Sequence, residues 1–206
     1  MISPSHIHPI ILAAGSSRRL AELTTDKPKS FLKVGNKRVI EYHLGALNNL
    51  GFDKVTIVVG YLRELFVKTV GNKYGNLNIG YVVSEDYATT GHSWSLFLTK
   101  DAWEKEKKPV LLIHADVLNH PDILSRVIFS EEDSIISIDN AYTINTGDEC
   151  LVRGEKGKVI SIEFNNKEKE KIKGEFIGVG KFSTEFMERF YEFLQKFFEK
   201  MGKNLN

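Results

Sequence analysis

Hydrophobic positions in the first two thirds of the chain alternate between short apolar runs and stretches with helical spacing. This alternation is typical of a mostly parallel sheet flanked by helices. The apolar runs predict five strands, at residues 7–14, 54–59, 78–83, 109–114 and 134–138. The stretches with 3.6-residue periodicity predict helices at residues 39–50, 62–70, 93–103 and 121–129.

The pattern changes after residue 140. Residues 151–153, 159–164 and 175–182 resemble antiparallel strands joined by polar turns, and a last helix is expected to begin near Ser183 as its N-cap. We therefore predict an α/β fold with a Rossmann-like, mostly parallel sheet flanked by helices, a small antiparallel β extension and a C-terminal helix. Residues 1–206 are expected to form one domain, with a nucleotide-binding core at 1–140 and a substrate-side extension at 141–206.

Composition excludes several classes of protein. The 206 residues are 42% hydrophobic and 27% charged, as expected for one globular domain. Twenty-eight basic and 27 acidic side chains leave a net charge of +1, which gives no electrostatic case for a nucleic-acid partner. The longest apolar run, residues 10–14, is too short to cross a membrane, and the single cysteine forms no internal disulfide. We expect a cytoplasmic protein without membrane or nucleic-acid partners.

The first candidate for chemistry is the segment IILAAGSSRRL at residues 10–20. An apolar strand leads directly into small residues, whose backbone N–H groups can approach phosphate oxygens closely, and then into two arginines. The lysine and hydroxyl of a P-loop are absent at the required spacing, and so are the later glycines of the dinucleotide-binding pattern. Taken alone, the segment indicates a phosphate-binding loop without naming its ligand.

Two further segments follow, LTTDKPKSFLKV at residues 23–34 and RVIEYHL at residues 38–44. Together with the loop, they resemble the signature of the nucleotidyltransferase superfamily that activates phosphorylated sugars and alcohols: LAAGxGxRL, then LTxxxPKxLxxV, then a helix of the type PxIxYxL. Ser17 replaces the second glycine of the pattern and Arg38 replaces the proline before the helix. The resemblance covers about residues 8–140.

The resemblance implies roles for individual residues. It implies that the base and triphosphate are wrapped by Leu12, Ala13, Ala14, Gly15, Ser16 and Ser17. It also implies that Arg19 and Lys29 bind phosphate oxygens and act in catalysis. Nucleotidyl transfer places negative charge on the α-phosphate and on the departing pyrophosphate, and fixed cations stabilise that charge.

A buried strand that ends in an aspartate, PVLLIHADV at residues 109–117, presents a carboxylate at the carboxyl edge of the sheet. The resemblance implies that Asp116 binds the Mg²⁺ ion that bridges substrate and nucleotide phosphates; a simple cap of the following turn is the alternative. Superfamily members usually supply a second magnesium carboxylate after the last helix. The final residues here, MGKNLN, contain no such group.

The substrate is indicated by two departures from the sugar-activating members. Residues 89–96 read TTGHSWSL in place of a Gly-Thr-Ala loop, and Glu163 is followed by Phe164 in place of lysine. The chain looks more like cytidylyltransferases acting on phosphocholine, aminoethylphosphonate or similar compounds; one related branch activates phosphoglutamine for capsule decoration. Gly91 and Ser95 are candidates for base recognition, with an N-cap as the alternative for Ser95, and Glu163 is a candidate for substrate binding.

We therefore expect a Mg²⁺-dependent enzyme that uses CTP and a small phosphorylated substrate. A sugar-1-phosphate uridylyl- or thymidylyltransferase is the nearest alternative, and a non-catalytic nucleotide-binding regulatory protein is the alternative of another class.

Seven phenylalanines lie between Phe176 and Phe198, more than one amphipathic helix needs for a single buried face. The excess predicts that part of the stripe packs against a second subunit, as in a homodimer.

Overall fold

The computed structural model describes residues 3–16, 20–141, 149–164 and 172–202. Its main feature is a mixed sheet of nine strands in the order β10-β9-β11-β7-β1-β4-β6-β5, with β8 paired to β11. The strands are β1 (His8–Ala13), β4 (Lys54–Val59), β5 (Lys73–Tyr74), β6 (Leu77–Val83), β7 (Val110–His114), β8 (Ile135–Asp139), β9 (Cys150–Glu155), β10 (Lys158–Phe164) and β11 (Ile172–Phe182). A separate two-stranded ribbon joins β2 (Lys33–Val34) to β3 (Lys37–Arg38).

Helices cover both faces of the sheet. They are α1 (Ala21–Thr24), α2 (Val39–Asn49), α3 (Arg63–Val70), α4 (His92–Phe97), α5 (Lys100–Trp103), α6 (Pro121–Ile128) and α7 (Thr184–Met201). One apolar cluster joins residues of α2, α3 and α6 to the sheet, and a second joins α4, α5 and α7 to it. No helix among the described residues is long and apolar enough to span a membrane.

The four central strands, β7, β1, β4 and β6, are parallel neighbours. Strands covered on both faces read as continuous apolar runs, and β1 and β4 do so: Ile10, Ile11, Ile57 and Val58 have no exposed surface. In parallel strands the carboxyl ends meet at one edge. The register pairs Leu12 of β1 with His114 of β7, so the loops after these two strands begin side by side.

The five predicted strands of the first two thirds are confirmed within about two residues, and so is the antiparallel extension. The extension continues the main sheet, because β11 pairs with β7 as well as with β8 and β9. The N-cap is also confirmed: Ser183 Oγ accepts a hydrogen bond of 3.1 Å from the Phe186 N–H.

The single helix predicted over residues 93–103 is wrong. The chain forms two short helices there, α4 and α5, with Thr99 between them. The hydroxyl of the buried Thr99 donates a hydrogen bond of 2.6 Å to the Leu96 carbonyl oxygen. Such local bonding offers the backbone an alternative to helix continuation. The break leaves Trp103 free to turn into the core, where it is 1% exposed.

Candidate active site

A cleft of about 340 Å³ lies at the carboxyl edge of the parallel strands. The loops that follow β1, β6 and β7 form its walls, together with α4 and the turn that carries Lys29. Ligands of open α/β sheets bind at this edge, in the crevice between loops of neighbouring strands. The cleft is lined by Leu12, Ala13, Ala14, Gly15, Ser16, Leu20, Lys29, Ser30, Tyr87, Ala88, Thr90, Gly91, His92, Ser95, Ala115 and Asp116.

The small-residue loop after β1 forms one wall of the cleft. Leu12, Ala13, Ala14, Gly15 and Ser16 all line it, and their contacts with a nucleotide stay a prediction. The Ala14 carbonyl oxygen accepts a hydrogen bond of 3.1 Å from the Tyr61 N–H, which ties the loop to the end of β4. The predicted residues Ser17 and Arg19 lie outside the described residues, so their assignments stay predictions.

Gly60 allows three segments to meet behind this wall. A Cβ placed at Gly60 would lie 2.6 Å from Tyr87 Cβ and 2.8 Å from the Ala14 carbonyl oxygen. Both distances are shorter than the contacts that Cβ atoms make in real proteins, so either the small-residue loop after β1 or Tyr87 would have to move. The absence of a side chain at residue 60 therefore sets the width of the cleft.

We expect Gly60→Ala to lower stability by about 1–3 kcal/mol, as overpacking of closely fitted cores does, and to weaken nucleotide binding as well. Thermal unfolding and nucleotide titration measure the two effects. Gly80→Ala in β6 is a matched control, because its added Cβ would meet only an ordinary contact of 3.9 Å. A Gly60→Ala variant as stable as Gly80→Ala would contradict this packing argument.

The position of Lys29 is set by a 3-10 turn, Lys29–Phe31, that begins after Pro28. The Phe31 N–H donates to the Pro28 carbonyl oxygen at 2.8 Å, and Phe31 is buried with its ring centroid 5.0 Å from that of Phe66. The Arg38 guanidinium lies over the Phe31 ring, 5.3 Å from the ring centroid. The anchored ring holds the turn, and Lys29 extends from it into the cleft.

Asp116 follows β7 and meets Lys29 inside the cleft. Lys29 Nζ donates to Asp116 Oδ2 at 2.8 Å, and each side chain keeps about one third of its surface exposed. Burial alone would raise the pKa of the Asp116 carboxyl, but the hydrogen bond and charge of Lys29 outweigh it and lower that pKa below the ordinary value. The carboxylate is therefore ionised at neutral pH.

Two histidines stand beside this carboxylate. The ring of His114 lies 4.5 Å from that of His92, and Phe176 of β11 meets His114 edge-on at 5.4 Å. Burial, with the charge of His92 adding and that of Asp116 opposing, lowers the pKa of His114 to about 4. Burial likewise lowers the pKa of His43 in α2 to about 4. The imidazoles of His43 and His114 are therefore neutral at pH 7, and neither competes with Lys29 as a cation.

A divalent metal fits the chemistry of Asp116. The carboxylate supplies hard oxygen atoms that reach the cleft, and magnesium is commonly held by one or two protein carboxylates together with substrate phosphates and waters. Within the described ranges, no group of three or more His, Cys, Asp or Glu side chains could hold a metal ion. The chemistry of Asp116 therefore fits a divalent cation that takes its other ligands from a bound substrate and from water.

A family model for nucleotidyl transferases matches residues 8–169, which include the small-residue loop after β1, Lys29 and Asp116. The chain belongs to the nucleotidyl transferase family. This nucleotidyl transferase fold explains why the cleft presents a small-residue loop, a lysine and a carboxylate towards one another.

Individual relatives of this nucleotidyl transferase were compared by sequence and by structure. It is 28% identical to a CTP:phosphoglutamine cytidylyltransferase of Campylobacter jejuni, over 92% of this chain and 79% of the relative. It is 38% identical to a choline-phosphate cytidylyltransferase of Streptococcus pneumoniae, but over 45% of this chain and 38% of the relative. The inositol-1-phosphate CTP transferase from T. maritima has the same fold, with a TM-score of 0.74 at 21% identity, over 97% of this chain and 83% of that one.

Both candidates for base recognition line the cleft of this nucleotidyl transferase. Gly91 is the N-cap of α4, and the buried Ser95 lies one turn into that helix. The interpretation of Ser95 as an N-cap is therefore wrong. Glu163 lies elsewhere: it is on β10, an edge strand three strands away from β7, and its carboxylate accepts a hydrogen bond from Ser161. It does not line the cleft, and its role in substrate binding stays a prediction.

Sequence reasoning missed Tyr87, Thr90 and His92, which also line the cleft. The loop that carries them is folded by local bonds: the Thr90 N–H and hydroxyl both donate to the Asp86 carbonyl oxygen. The sequence did contain a signal for these residues. They follow β6, which was predicted as a strand of the same parallel sheet, and the loops after parallel strands gather at one edge of the sheet.

Proposed function

We propose that this nucleotidyl transferase is a cytidylyltransferase that converts CTP and a small phosphorylated compound into a CDP-linked product and pyrophosphate. The single observation that carries the proposal is the Lys29–Asp116 pair, which faces the Ala13–Ser16 loop across the cleft. The choice of CTP is supported by the names of the relatives, which are a phosphoglutamine and a choline-phosphate cytidylyltransferase. Phosphocholine, aminoethylphosphonate and phosphoglutamine types of acceptor are the class we propose.

The reaction needs no covalent enzyme intermediate. An oxygen of the acceptor phosphate attacks the α-phosphorus of CTP and forms a new P–O bond. The bond from the α-phosphorus to the oxygen shared with the β-phosphate breaks, and its electron pair leaves with pyrophosphate. Catalysis then consists of positioning the two reactants and stabilising the charge that develops.

Each part of the cleft has a task in this scheme. The backbone of Leu12 to Ser16, continued by Ser17, wraps the nucleotide, and Gly91 and Ser95 lie where the base is read. Lys29, together with Arg19, neutralises phosphate oxygens as charge builds up during transfer. The ammonium of Lys29 is held near the reacting phosphates beforehand by its bond to Asp116, so little reorganisation is required.

Asp116 is the residue that would hold magnesium. When bound, the ion supplies charge neutralisation and orientation of the phosphates, and it does not need to generate a hydroxide. Because the proposed reaction consumes CTP and needs magnesium, both of which the cytoplasm supplies, we propose that the protein acts there. We expect its CDP-linked product to serve as an activated donor in the synthesis of capsule or other cell-surface polysaccharide.

The first test is nucleotide choice. A ligand present at 100 times its dissociation constant adds about 2.7 kcal/mol of stability. For a chain of this size that corresponds to a rise in melting temperature of roughly 5–10 °C. With magnesium present, we expect CTP to raise the melting temperature more than UTP, dTTP or ATP does. An equal or larger rise with UTP or dTTP would favour a sugar-1-phosphate uridylyl- or thymidylyltransferase instead.

Turnover separates an enzyme from a nucleotide-binding regulatory protein. We expect pyrophosphate release from CTP when phosphocholine, aminoethylphosphonate or phosphoglutamine is offered as acceptor. The Lys29→Ala variant under the same conditions reports any release that does not depend on the cleft. Tight CTP binding without pyrophosphate release across the whole acceptor panel would contradict the enzymatic assignment.

A further inference from the structure

One side of α7 carries a row of apolar side chains that the rest of the described structure leaves partly uncovered. The row, called here the aromatic stripe, consists of Phe186, Phe190, Phe193, Phe197 and Met201. Phe193 and Met201 are each 60% exposed and Phe186 is 42% exposed. Adjacent rings stack along the helix, Phe186 on Phe190 at 5.8 Å and Phe193 on Phe197 at 6.0 Å. Contiguous exposed rings of this kind mark interaction surfaces.

The stripe lies beside the face by which α7 packs on its own chain, and Phe190 contributes to both. Met187 and Leu194 of α7 are buried at 2% and 4% exposure, and Met187 belongs to the apolar cluster on the sheet. Tyr191 and Phe198 lie on the side of these two residues that faces away from the stripe. Tyr191 stacks on Phe97 of α4 at 4.5 Å, and Phe198 contacts Trp94 of α4 at 5.0 Å. The helix is therefore anchored mainly by the other side chains of α7, and Phe193 and Met201 of the stripe stay exposed.

The spacing of the stripe is close to symmetric about Phe193. Its members lie 7 and 3 positions before Phe193 and 4 and 8 positions after it. Two copies of α7 in antiparallel orientation, crossing at Phe193, would place each stripe residue within one position of a stripe residue of the other copy. One position along an α-helix is about 1.5 Å, so the two rows match. Phe190 would meet Phe197 of the second copy, and Phe186 would meet its Met201.

The charges of α7 favour the same orientation. Its first half carries three glutamates and one arginine, and its second half carries two lysines and one glutamate: Glu185, Glu188, Arg189, Glu192, Lys196, Glu199 and Lys200. A parallel pair of helices would place like halves together. The antiparallel pair places the acidic half of each helix beside the basic half of the other, with Glu185 close to Lys200 of the second copy.

We propose that the aromatic stripe is the interface of a homodimer, in which α7 packs antiparallel against α7 of a second copy on a two-fold axis through Phe193. A self-complementary patch of this kind closes on itself and yields a dimer, not a filament. At its N-terminal end the stripe continues onto the sheet, because Phe182 at the end of β11 stacks on Phe186 at 5.0 Å.

The mass in solution tests the proposal directly. Sedimentation at micromolar concentration should give twice the 23.4 kDa of one chain. Phe193→Glu places a charge on the two-fold axis and should raise the dimer dissociation constant at least about 30-fold, the effect of losing a central aromatic contact. Gln195→Glu adds the same charge to the same helix away from the stripe, and should leave the dimer intact. A monomeric wild-type chain, or a dimer that survives Phe193→Glu, would overturn the proposal.

A charge exchange tests the orientation. Glu185→Lys and Lys200→Glu should each weaken the dimer a few-fold, and the double variant should restore it, since the antiparallel pair brings the two positions together. Glu185→Lys also breaks the 2.8 Å ion pair of Glu185 with Arg189 in its own helix, so restoration by the double variant is the decisive result. The two positions are 15 residues apart in one helix, too far for contact within a chain. Circular dichroism of each variant checks that the monomer remains folded. Failure of the double variant to restore association would overturn the antiparallel register.

Discussion

Replacing Lys29 with alanine is expected to lower kcat by about 100-fold or more, with a smaller effect on nucleotide affinity. In the proposed reaction, the ammonium neutralises charge that grows on the phosphates as pyrophosphate departs, and the loss of one such group typically costs this much. The substitution also removes the 2.8 Å bond that holds Asp116. Steady-state kinetics of pyrophosphate release, compared with CTP affinity from calorimetry, separate the effect on turnover from the effect on binding.

Lys27→Ala is the matched control for this variant. Lys27 lies two residues away and pairs with the exposed Asp26 at 2.9 Å, and it does not line the cleft. We expect its turnover to stay within a factor of a few of the wild-type value. If the turnover of Lys29→Ala also stayed within a factor of a few of the wild-type value, Lys29 would be an ordinary surface cation. The proposed mechanism would then have no lysine that neutralises charge on the phosphates.

Replacing Asp116 with asparagine is expected to reduce magnesium-dependent turnover by at least about 100-fold, while the fold survives. Asparagine keeps the shape of the side chain and removes the charge that magnesium needs. Because the side chain is 37% exposed at the edge of the sheet, its exchange creates no cavity in the core. Asp122→Asn on α6, which is exposed and outside the cleft, should leave turnover unchanged.

Calorimetry adds a second readout for Asp116. With one protein carboxylate, which Lys29 already neutralises in part, magnesium should bind weakly until CTP brings its phosphates. Tight magnesium binding by the nucleotide-free protein would mean that the metal is held elsewhere. Normal turnover of Asp116→Asn would lead to the same conclusion.

The sequence predicted the parts of the fold that follow from periodicity. Strands β1, β4 and β7 are apolar runs with clear ends, and strands of this kind are predictable because both of their faces are buried. The break at Thr99 was not predicted, because periodicity continues through it while a single hydroxyl-to-carbonyl bond decides the outcome. The β2–β3 ribbon, with two residues in each strand, was too short to produce a pattern.

For the site, the sequence indicated positions that line the cleft where a motif named them, and it did not where only the tertiary structure brings a residue there. Gly15 and Asp116 line the cleft because each follows a predicted strand at the same edge, and their roles stay predictions. The bond between Lys29 and Asp116 joins positions 87 residues apart, and no local pattern specifies it. Tyr87 and His92 were missed because loops carry no period, and their arrival in the cleft depends on how that loop folds.

Strand β11 makes the two halves of the chain inseparable. It pairs with β7 through Val179 and Gly180, and β7 is the strand that leads to Asp116. A fragment that ended at residue 140 would leave one side of β7 with unpaired backbone N–H and C=O groups, an open edge prone to self-association. It would also lose Phe176, which supports His114. Residues 1–140 thus need β11 to complete the sheet beside β7, and attempts to graft or shorten this half of the chain should keep β11.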